Sequence, residues 1–120
     1  MPYKSLPVKS TIKIEDLEKI DIRIGLIEKV EDIEDSDKLV RLTVNFGDFK
    51  REILVGMKKE RKNPQEIEGK QALFVVNLEA RKMMGKYISE GMVFDIGYTN
   101  GIIPVLAMPE SEVPNGSSAG

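Results

Sequence analysis

Short runs of residues that alternate between apolar and polar constrain the fold of this 120-residue chain more than any other feature. The clearest run is KLVRLTVNF, in which Leu42, Val44 and Phe46 fall on one side of an extended strand. Gly47 and Asp48 follow, and such a pair between two alternating runs is typical of a two-residue hairpin turn. The next run, FKREILVGM, therefore predicts a strand that pairs antiparallel with the first.

Further runs of this kind bring the expected number of strands to five or six. DIRIGLIEKVEDI predicts a long strand in which Gly25 marks a bulge or a sharp bend, and KQALFVVNL, ISEGMVFDIG and GIIPVLAM are shorter candidates. The segment TIKIEDLEKI predicts a short helix with Thr11 as its N-cap. Pro64 to Ile67 predicts a helical turn that stops at Gly69.

Many short strands with one or two short helices favour an all-β fold built as a small closed barrel. The OB-fold, a five-stranded barrel, is the leading candidate. Its connection between the third and fourth strands commonly carries a helix, which is where the Pro64 turn falls. OB-folds bind nucleic acids or sugars through their strand faces and loops.

The chain has no cysteine and no histidine. Disulfides, zinc-thiolate sites and catalytic groups that need an imidazole are therefore excluded. GMKKERKNP lacks the second glycine and the Lys-Ser or Lys-Thr pair of a phosphate-binding loop, and EDIEDSD lacks the spacing of a calcium loop. We expect no catalytic residues, no metal, no cofactor and no enzyme activity.

The formal charge of -2 conceals a basic middle third. Residues 38–86 hold 12 basic and 6 acidic side chains, whereas residues 1–37 hold 6 and 10, and residues 87–120 hold 0 and 4. Because charges act over a Debye length of about 8 Å in physiological salt, a local basic region is sufficient to attract a polyanion. The alternative is a solvated charged surface with no partner.

The N-terminus, MPYKSLPVKS, contains no apolar signal core. No apolar run in the chain approaches the roughly 20 residues that a membrane-spanning helix needs. We therefore expect a cytoplasmic protein with no membrane partner.

Four motifs stand in order along the chain. They are Asp-Ile-Arg-Ile-Gly at residues 21–25, Ser-Asp-Lys-Leu at 36–39, Asn-Leu at 77–78 with a basic pair at 81–82, and Ser-Glu-Gly-Met at 89–92. Over about residues 12–118 the chain resembles the tRNA-binding domain family, which includes free-standing tRNA-binding proteins and the C-terminal domain of methionyl-tRNA synthetase. It departs from the family pattern at Val55, at Ala80 and in a longer loop before Ser89.

The resemblance implies an OB-fold that binds the folded elbow of tRNA without a strong sequence requirement. It implies an N-terminal arm at residues 1–11 and an OB-fold domain at residues 12–120, whose C-terminal extension makes a homodimer. The implied partners are tRNA, a second copy of the chain and an aminoacyl-tRNA synthetase of the methionyl type. An export-related, peptide-binding chaperone of the same fold is the alternative, and a module that docks a synthetase is a third reading.

The candidate contacts are mostly cations, because phosphate contacts give affinity without reading sequence. Arg23 has an alternative role as the partner of Asp21 or Asp37, and the 58–62 run has the alternative of a solvated loop. Ser89 and Glu90 either bond ribose hydroxyls or cap a turn. The predicted tRNA-binding residues are Arg23, Lys38, Lys58, Lys59, Arg61, Asn77, Arg81, Lys82, Lys86, Ser89 and Glu90.

Met83, Met84 and Met92 lie in or beside the basic loop, and each has two possible roles. They either fill the core beneath the loop or give a partner an adaptable apolar surface. For Met92 we favour the core, because a strand continues from it, whereas Met83 and Met84 stay open. The apolar segment GIIPVLAM either closes the barrel or extends the core across a dimer axis.

Overall fold

The computed structural model describes residues 3–120, and these form a β-rich fold with very little helix. The all-β prediction is confirmed. The helical elements are α1 (Ile14–Glu18) and one 3-10 helix (Pro64–Ile67). The strands are β1 (Ile22–Asp32), β2 (Leu39–Asn45), β3 (Lys50–Gly56), β4 (Gln71–Val75), β5 (Arg81–Met83), β6 (Tyr87–Ser89), β7 (Met92–Val93), β8 (Asp95–Ile96), β9 (Val105–Leu106) and β10 (Ser118–Ala119).

The main sheet has the order β3-β2-β1-β4-β7, and its neighbouring strands are antiparallel. The long strand β1 changes partner along its length. From Ile22 to Leu26 it pairs with β4, and from Leu26 to Asp32 it pairs with β2. A single strand thus belongs to both halves of the barrel wall, which is how a five-stranded sheet curls on itself.

The β2–β3 hairpin has the predicted turn. Asn45 pairs with Lys50, and the Phe46 N–H donates to the Phe49 carbonyl oxygen at 2.9 Å. The Gly-Asp pair is left as the two turn residues. The 3-10 helix likewise occupies the predicted Pro64–Ile67 span.

Gly25 has a different role from the one predicted. The bulge in β1 is a register shift between Ile27 and Lys29, beyond Gly25. A Cβ on Gly25 would collide with Val44 and would lie 2.7 Å from the Phe46 ring. Gly25 is therefore required for the close packing of β1 against β2.

Residues 89–91 close the barrel against β3. Ser89 is 1% exposed, and its Oγ accepts a hydrogen bond from the Leu54 N–H at 3.0 Å. The Glu90 N–H donates to the Glu52 carbonyl at 2.9 Å, and the Glu90 carboxylate accepts from the Glu52 N–H at 3.2 Å. The Ser-Glu-Gly segment thus supplies sheet-like hydrogen bonds where two short strands meet β3.

Arg51 reinforces this closure from the barrel rim. Its Nη1 donates to the carbonyls of Val76 and Glu90 at 3.1 and 3.2 Å, and its guanidinium lies 4.9 Å from the centre of the Phe49 ring. The Arg51 guanidinium therefore links two different backbone segments.

The core fills the barrel and extends beneath the β5–β6 hairpin. Phe46 meets Phe74 edge to face with ring centres 5.4 Å apart, and the fully buried Ile67 brings the 3-10 helix onto the barrel end. A smaller cluster lies under the hairpin, where Met83 and Tyr87 pack on buried aliphatic side chains. The buried members of that cluster are Ile33, Leu39 and Leu54.

The C-terminal tail, for which the sequence predicted no strand, contains β10. In β10, Ser118 pairs with Arg23 and Ala119 pairs with Ile22. The side chain of Gln71 also donates to the Val113 carbonyl at 2.6 Å. These partners lie far away in sequence, so local turn residues gave no signal for the pairing.

The predicted N-terminal arm, residues 1–11, is described from Tyr3 onward, and its first two residues lie outside the described part. The helix that follows starts later than predicted, with Lys13 rather than Thr11 as its N-cap, and the Lys13 N–H donates to the Asp16 carboxylate at 3.2 Å. No residue of α1 is buried, so its apolar side chains face outward. Within residues 3–120, no helix has the length and apolar character needed to cross a membrane.

Candidate nucleic-acid interface

An open groove of about 500 Å³ lies beside the start of β2, the end of β3 and the β5–β6 hairpin. Lys38 and Lys59 line it together with apolar atoms of Leu39, Val55 and Met83. A second cavity of about 230 Å³ shares Val55 and Met83 with the groove and is also lined by Arg81. The structure thus brings three predicted residues, Lys38, Lys59 and Arg81, to one continuous surface.

The cations of this surface are available to a partner. Lys38, Lys59, Arg81 and the neighbouring Lys82 are exposed, and none forms an ion pair with any residue from 3 to 120. Phosphate oxygens would meet these side chains without first displacing an internal partner. The groove therefore has the free positive charge that a nucleic-acid surface needs.

Two acids limit the positive charge inside the groove. Glu60 and Asp95 line it beside the lysines. Burial, and then the nearby charge of Asp95, raises the pKa of Glu60 above its ordinary value. A polyanion would consequently approach the cationic rim and the hairpin more favourably than the groove floor.

The basic loop of the sequence is a β-hairpin. Arg81 pairs with Ser89 and Met83 pairs with Tyr87. Met83 is half-buried: it packs against the small core cluster and also lines the groove, so it combines the two predicted roles. A hairpin holds its cations in fixed directions, which a flexible loop would not do.

Asp35 ties the hairpin to the loop between β1 and β2. One carboxylate oxygen accepts from the Tyr87 hydroxyl at 2.6 Å, and the other lies 2.7 Å from Lys86 Nζ. Hydrogen bonds from Lys86 first and Tyr87 second lower the pKa of Asp35 to about 2. The same carboxylate raises the pKa of both Lys86 and Tyr87. Two loops on one side of the barrel are therefore held in a fixed relation.

This contact predicts a pH-dependent contribution to stability. Because the pKa of Asp35 is lowered from 3.8 to about 2 in the folded chain, the stabilisation is present above about pH 4. It is lost as the pH falls from about 4 through 2. We expect Asp35→Asn to lower the melting temperature at pH 7 and to differ less from wild type at pH 2.5. Asp37→Asn, in the same loop, is the control, and a pH-independent deficit for Asp35→Asn would contradict the assignment.

Lys58, predicted to contact tRNA, has internal partners instead. Its Nζ donates to the carbonyls of Ile33 and Ser36 at 2.6 and 2.7 Å and pairs with the Asp32 carboxylate. Its side chain is only 19% exposed. The adjacent Lys59 points to the groove, so two neighbouring lysines have separate roles.

Three further predicted residues also have internal partners. Arg23 binds the Asp21 carboxylate through Nε at 2.8 Å, the alternative role predicted for it, and Arg61 pairs with Glu66 at 2.7 Å. Asn77 accepts from the Asp21 N–H at 2.8 Å and donates to the Lys19 carbonyl at 2.7 Å. It thereby fixes the junction between α1 and β1.

The Ser-Glu-Gly-Met motif is mainly structural in this geometry. The buried Ser89 hydroxyl is not accessible for the ribose contact that we predicted, and the Glu90 carboxylate already accepts from β3. Met92, predicted to fill the core, is 39% exposed because Val93 is the inward residue of β7. The motif positions the barrel wall beside the groove.

Sequence reasoning missed several residues of this surface. Tyr98, 69% exposed in the turn after β8, lines the groove, and the Gly-Tyr-Thr-Asn-Gly stretch around it signals only a turn. Asp35 was read as part of a general acidic run. Arg41 lies 5.8 Å from the centre of the Tyr87 ring, a contact between distant strands.

Comparison with known proteins gives a consistent family assignment. Residues 22–118 match tRNA_bind, the family model for the tRNA binding domain. The methionine–tRNA ligase of Streptococcus pneumoniae is 41% identical over 113 residues, which are 93% of this chain and 17% of that protein. The chain therefore spans about a sixth of the length of this curated relative.

Solved structures share the fold over nearly the whole chain. A MetRS related protein from Pyrococcus horikoshii superposes with a TM-score of 0.84 at 32% identity, covering 93% of this chain and all of that one. The chaperone CsaA from Bacillus anthracis gives a TM-score of 0.81 at 27% identity, covering 92% of this chain and all of that one. With its barrel, its motifs and these matches, the chain belongs to the tRNA binding domain family.

Proposed function

We propose that this protein binds tRNA by its folded shape and acts as a homodimer, without catalysing a reaction itself. The observation that carries the proposal is the set of free cations at the groove and hairpin, Lys38, Lys59, Arg81 and Lys82. Lys38 precedes β2, Lys59 follows β3, and Arg81 and Lys82 lie in β5, so three separate segments contribute cations to the surface. Family membership makes tRNA the natural polyanion.

Recognition of shape is favoured over reading of single-stranded bases. Aromatic residues make up 6% of the chain, and two of them, Phe46 and Phe74, belong to the buried core. Proteins that hold single strands usually stack successive bases on exposed aromatic rings. A surface of cations with few such rings fits folded RNA, in which most bases are already paired.

Exposed apolar side chains support dimer formation. Ile14 and Leu17 of α1 are 63% and 46% exposed, and Ile20, just after the helix, is 44% exposed. Ile96 and Val105 of the paired strands β8 and β9 are 52% and 53% exposed. Apolar side chains of this kind would be covered if they formed part of an interface between two copies. We propose that the domain of residues 12–120 dimerises through its C-terminal extension and α1, with residues 1–11 as an arm.

Two copies would present the basic surface twice, which increases the effective concentration of cations around one bound tRNA. The likeness to one end of a much longer methionine–tRNA ligase supports action in trans with a synthetase of the methionyl type. We place this activity in the cytoplasm, where synthetases charge tRNA.

A peptide-binding chaperone is the second candidate function. The groove has apolar walls at Leu39, Val55, Met83 and Tyr98, and the fold is shared with the CsaA chaperone. Apolar contacts of this kind would hold a peptide with little dependence on salt. The free cations favour tRNA.

Binding to fluorescent bulk tRNA across a salt series tests the proposal. We expect log affinity to fall against log salt with a slope of roughly -3 to -4, since four free cations would each release slightly less than one counterion. Duplex DNA of equal length and an unfolded peptide serve as competitors. Peptide binding that does not vary with salt, with no affinity for tRNA, would select the chaperone instead.

A further inference from the structure

The turn of the β5–β6 hairpin has an unusual residue at its tip. Met84 and Gly85 have φ values of 54° and 72°, and the Lys86 N–H donates to the Met83 carbonyl at 3.1 Å. Met84 and Gly85 are the two central residues of a β-turn inside a three-residue loop, since Met83 pairs with Tyr87. Positive φ at both central residues is the pattern of a type I′ turn, in which Asn followed by Gly is the usual pair. Among residues 3–120, Met84 is the only residue other than glycine with a positive φ.

The fold gives Met84 no compensation for this conformation. Its side chain is 48% exposed and belongs to neither core cluster, whereas the adjacent Met83 packs on the small cluster. A strained backbone conformation that gains no internal packing is typical of a residue that contacts an external partner. The side chain is also apolar, so a partner that covered it would gain favourable burial.

The hairpin holds this tip firmly and surrounds it with positive charge. Asp35 fixes Lys86 and Tyr87 at the base of the turn. Arg81 and Lys82 on the adjoining strand are exposed and unpaired within the described chain. A partner that covered both the tip and these cations would combine negative charge with an apolar surface.

We propose that Met84 packs against the exposed face of a base at the tRNA surface while the hairpin cations hold the flanking phosphates. This inference rests on the proposed tRNA-binding function and adds the chemical group that the hairpin tip contacts. The thioether of methionine is polarisable and packs favourably on aromatic rings. Apolar side chains, methionine among them, are used in this way between base steps in nucleic-acid complexes. A base at the end of a stack or in a bulge offers such a face.

Met84→Asn removes the apolar side chain at the tip without destabilising the fold, because Asn suits this turn position better than Met. We expect a higher melting temperature together with tRNA binding that is roughly threefold to tenfold weaker. The slope of affinity against salt should stay that of wild type, because no cation is removed. Met84→Leu keeps an apolar tip and should bind within about twofold of wild type.

Chemical probing of the bound tRNA supplies the second measurement. Wild type and Met84→Leu should protect a base from modification that Met84→Asn leaves reactive. Equal tRNA affinity for Met84→Asn and wild type would overturn the inference while leaving the proposed function intact. Loss of peptide binding by Met84→Asn, with tRNA affinity unchanged, would also overturn it. Absence of salt-dependent tRNA binding in wild type would overturn both.

Discussion

Gly91→Val is expected to lower the free energy of unfolding by roughly 3 to 5 kcal/mol, from a strained backbone and an overfilled contact together. Gly91 has a φ of 142°, which side-chain-bearing residues rarely adopt. A Cβ there would lie 2.8 Å from the Val75 carbonyl oxygen and 3.3 Å from Ile53 Cδ1. The carbonyl belongs to a sheet strand and cannot move away without disturbing its pairing. For a domain of this size, such a loss is a large fraction of total stability.

Urea denaturation of Gly91→Val beside Gly69→Val isolates the contribution of the close contact. Gly69 also has a positive φ, 86°, but no heavy atom lies within 4 Å of the position that its Cβ would take. We expect the Gly69 variant to lose roughly 1 to 2 kcal/mol, from strain alone. Equal losses in both variants would show that the contact at Gly91 relaxes freely.

Combined replacement of Arg81 and Lys82 by alanine is expected to weaken tRNA binding about 10- to 100-fold near 0.1 M salt. The slope of log affinity against log salt should become shallower by about two, one for each lost phosphate contact. Both side chains are exposed and form no ion pair with the described chain, so the melting temperature should change little. Salt titration with fluorescent tRNA measures both quantities.

Lys29→Ala combined with Lys70→Ala is the matched control. These two lysines are also exposed and unpaired within residues 3–120, and removing them changes the net charge equally. They lie outside the groove and hairpin, so the control should retain most of its affinity. If both double variants lose affinity to the same extent, total charge rather than the hairpin governs binding.

Features that depend on neighbouring residues were predictable. The Gly47-Asp48 turn and the Pro64–Ile67 helix follow from residues with strong local preferences, and both are where the sequence places them. The β5–β6 hairpin was missed, because its turn uses Met-Gly instead of the usual Asn-Gly. The tail strand β10 was missed because only its distant partner β1 makes it a strand.

For the candidate site, too, local features were predictable and features that depend on distant residues were not. The basic region could be located from sequence, since charge is visible residue by residue. The sequence could not show which of these cations are free of internal partners, because that depends on contacts made only in the folded chain. Lys58 reaches carbonyls more than twenty positions away, and Lys86 meets Asp35 across two loops.

The internal contacts of Lys58, Lys86 and Arg51 affect which substitutions this sequence can accumulate. Of the 12 basic residues in the middle third, six have internal partners: Arg41, Lys50, Arg51, Lys58, Arg61 and Lys86. A substitution at one of these alters folding and surface charge together. Substitutions at the other six alter surface charge without removing an ion pair of the described chain. Surface charge can therefore change at one set of positions while the ion pairs of the scaffold stay in place.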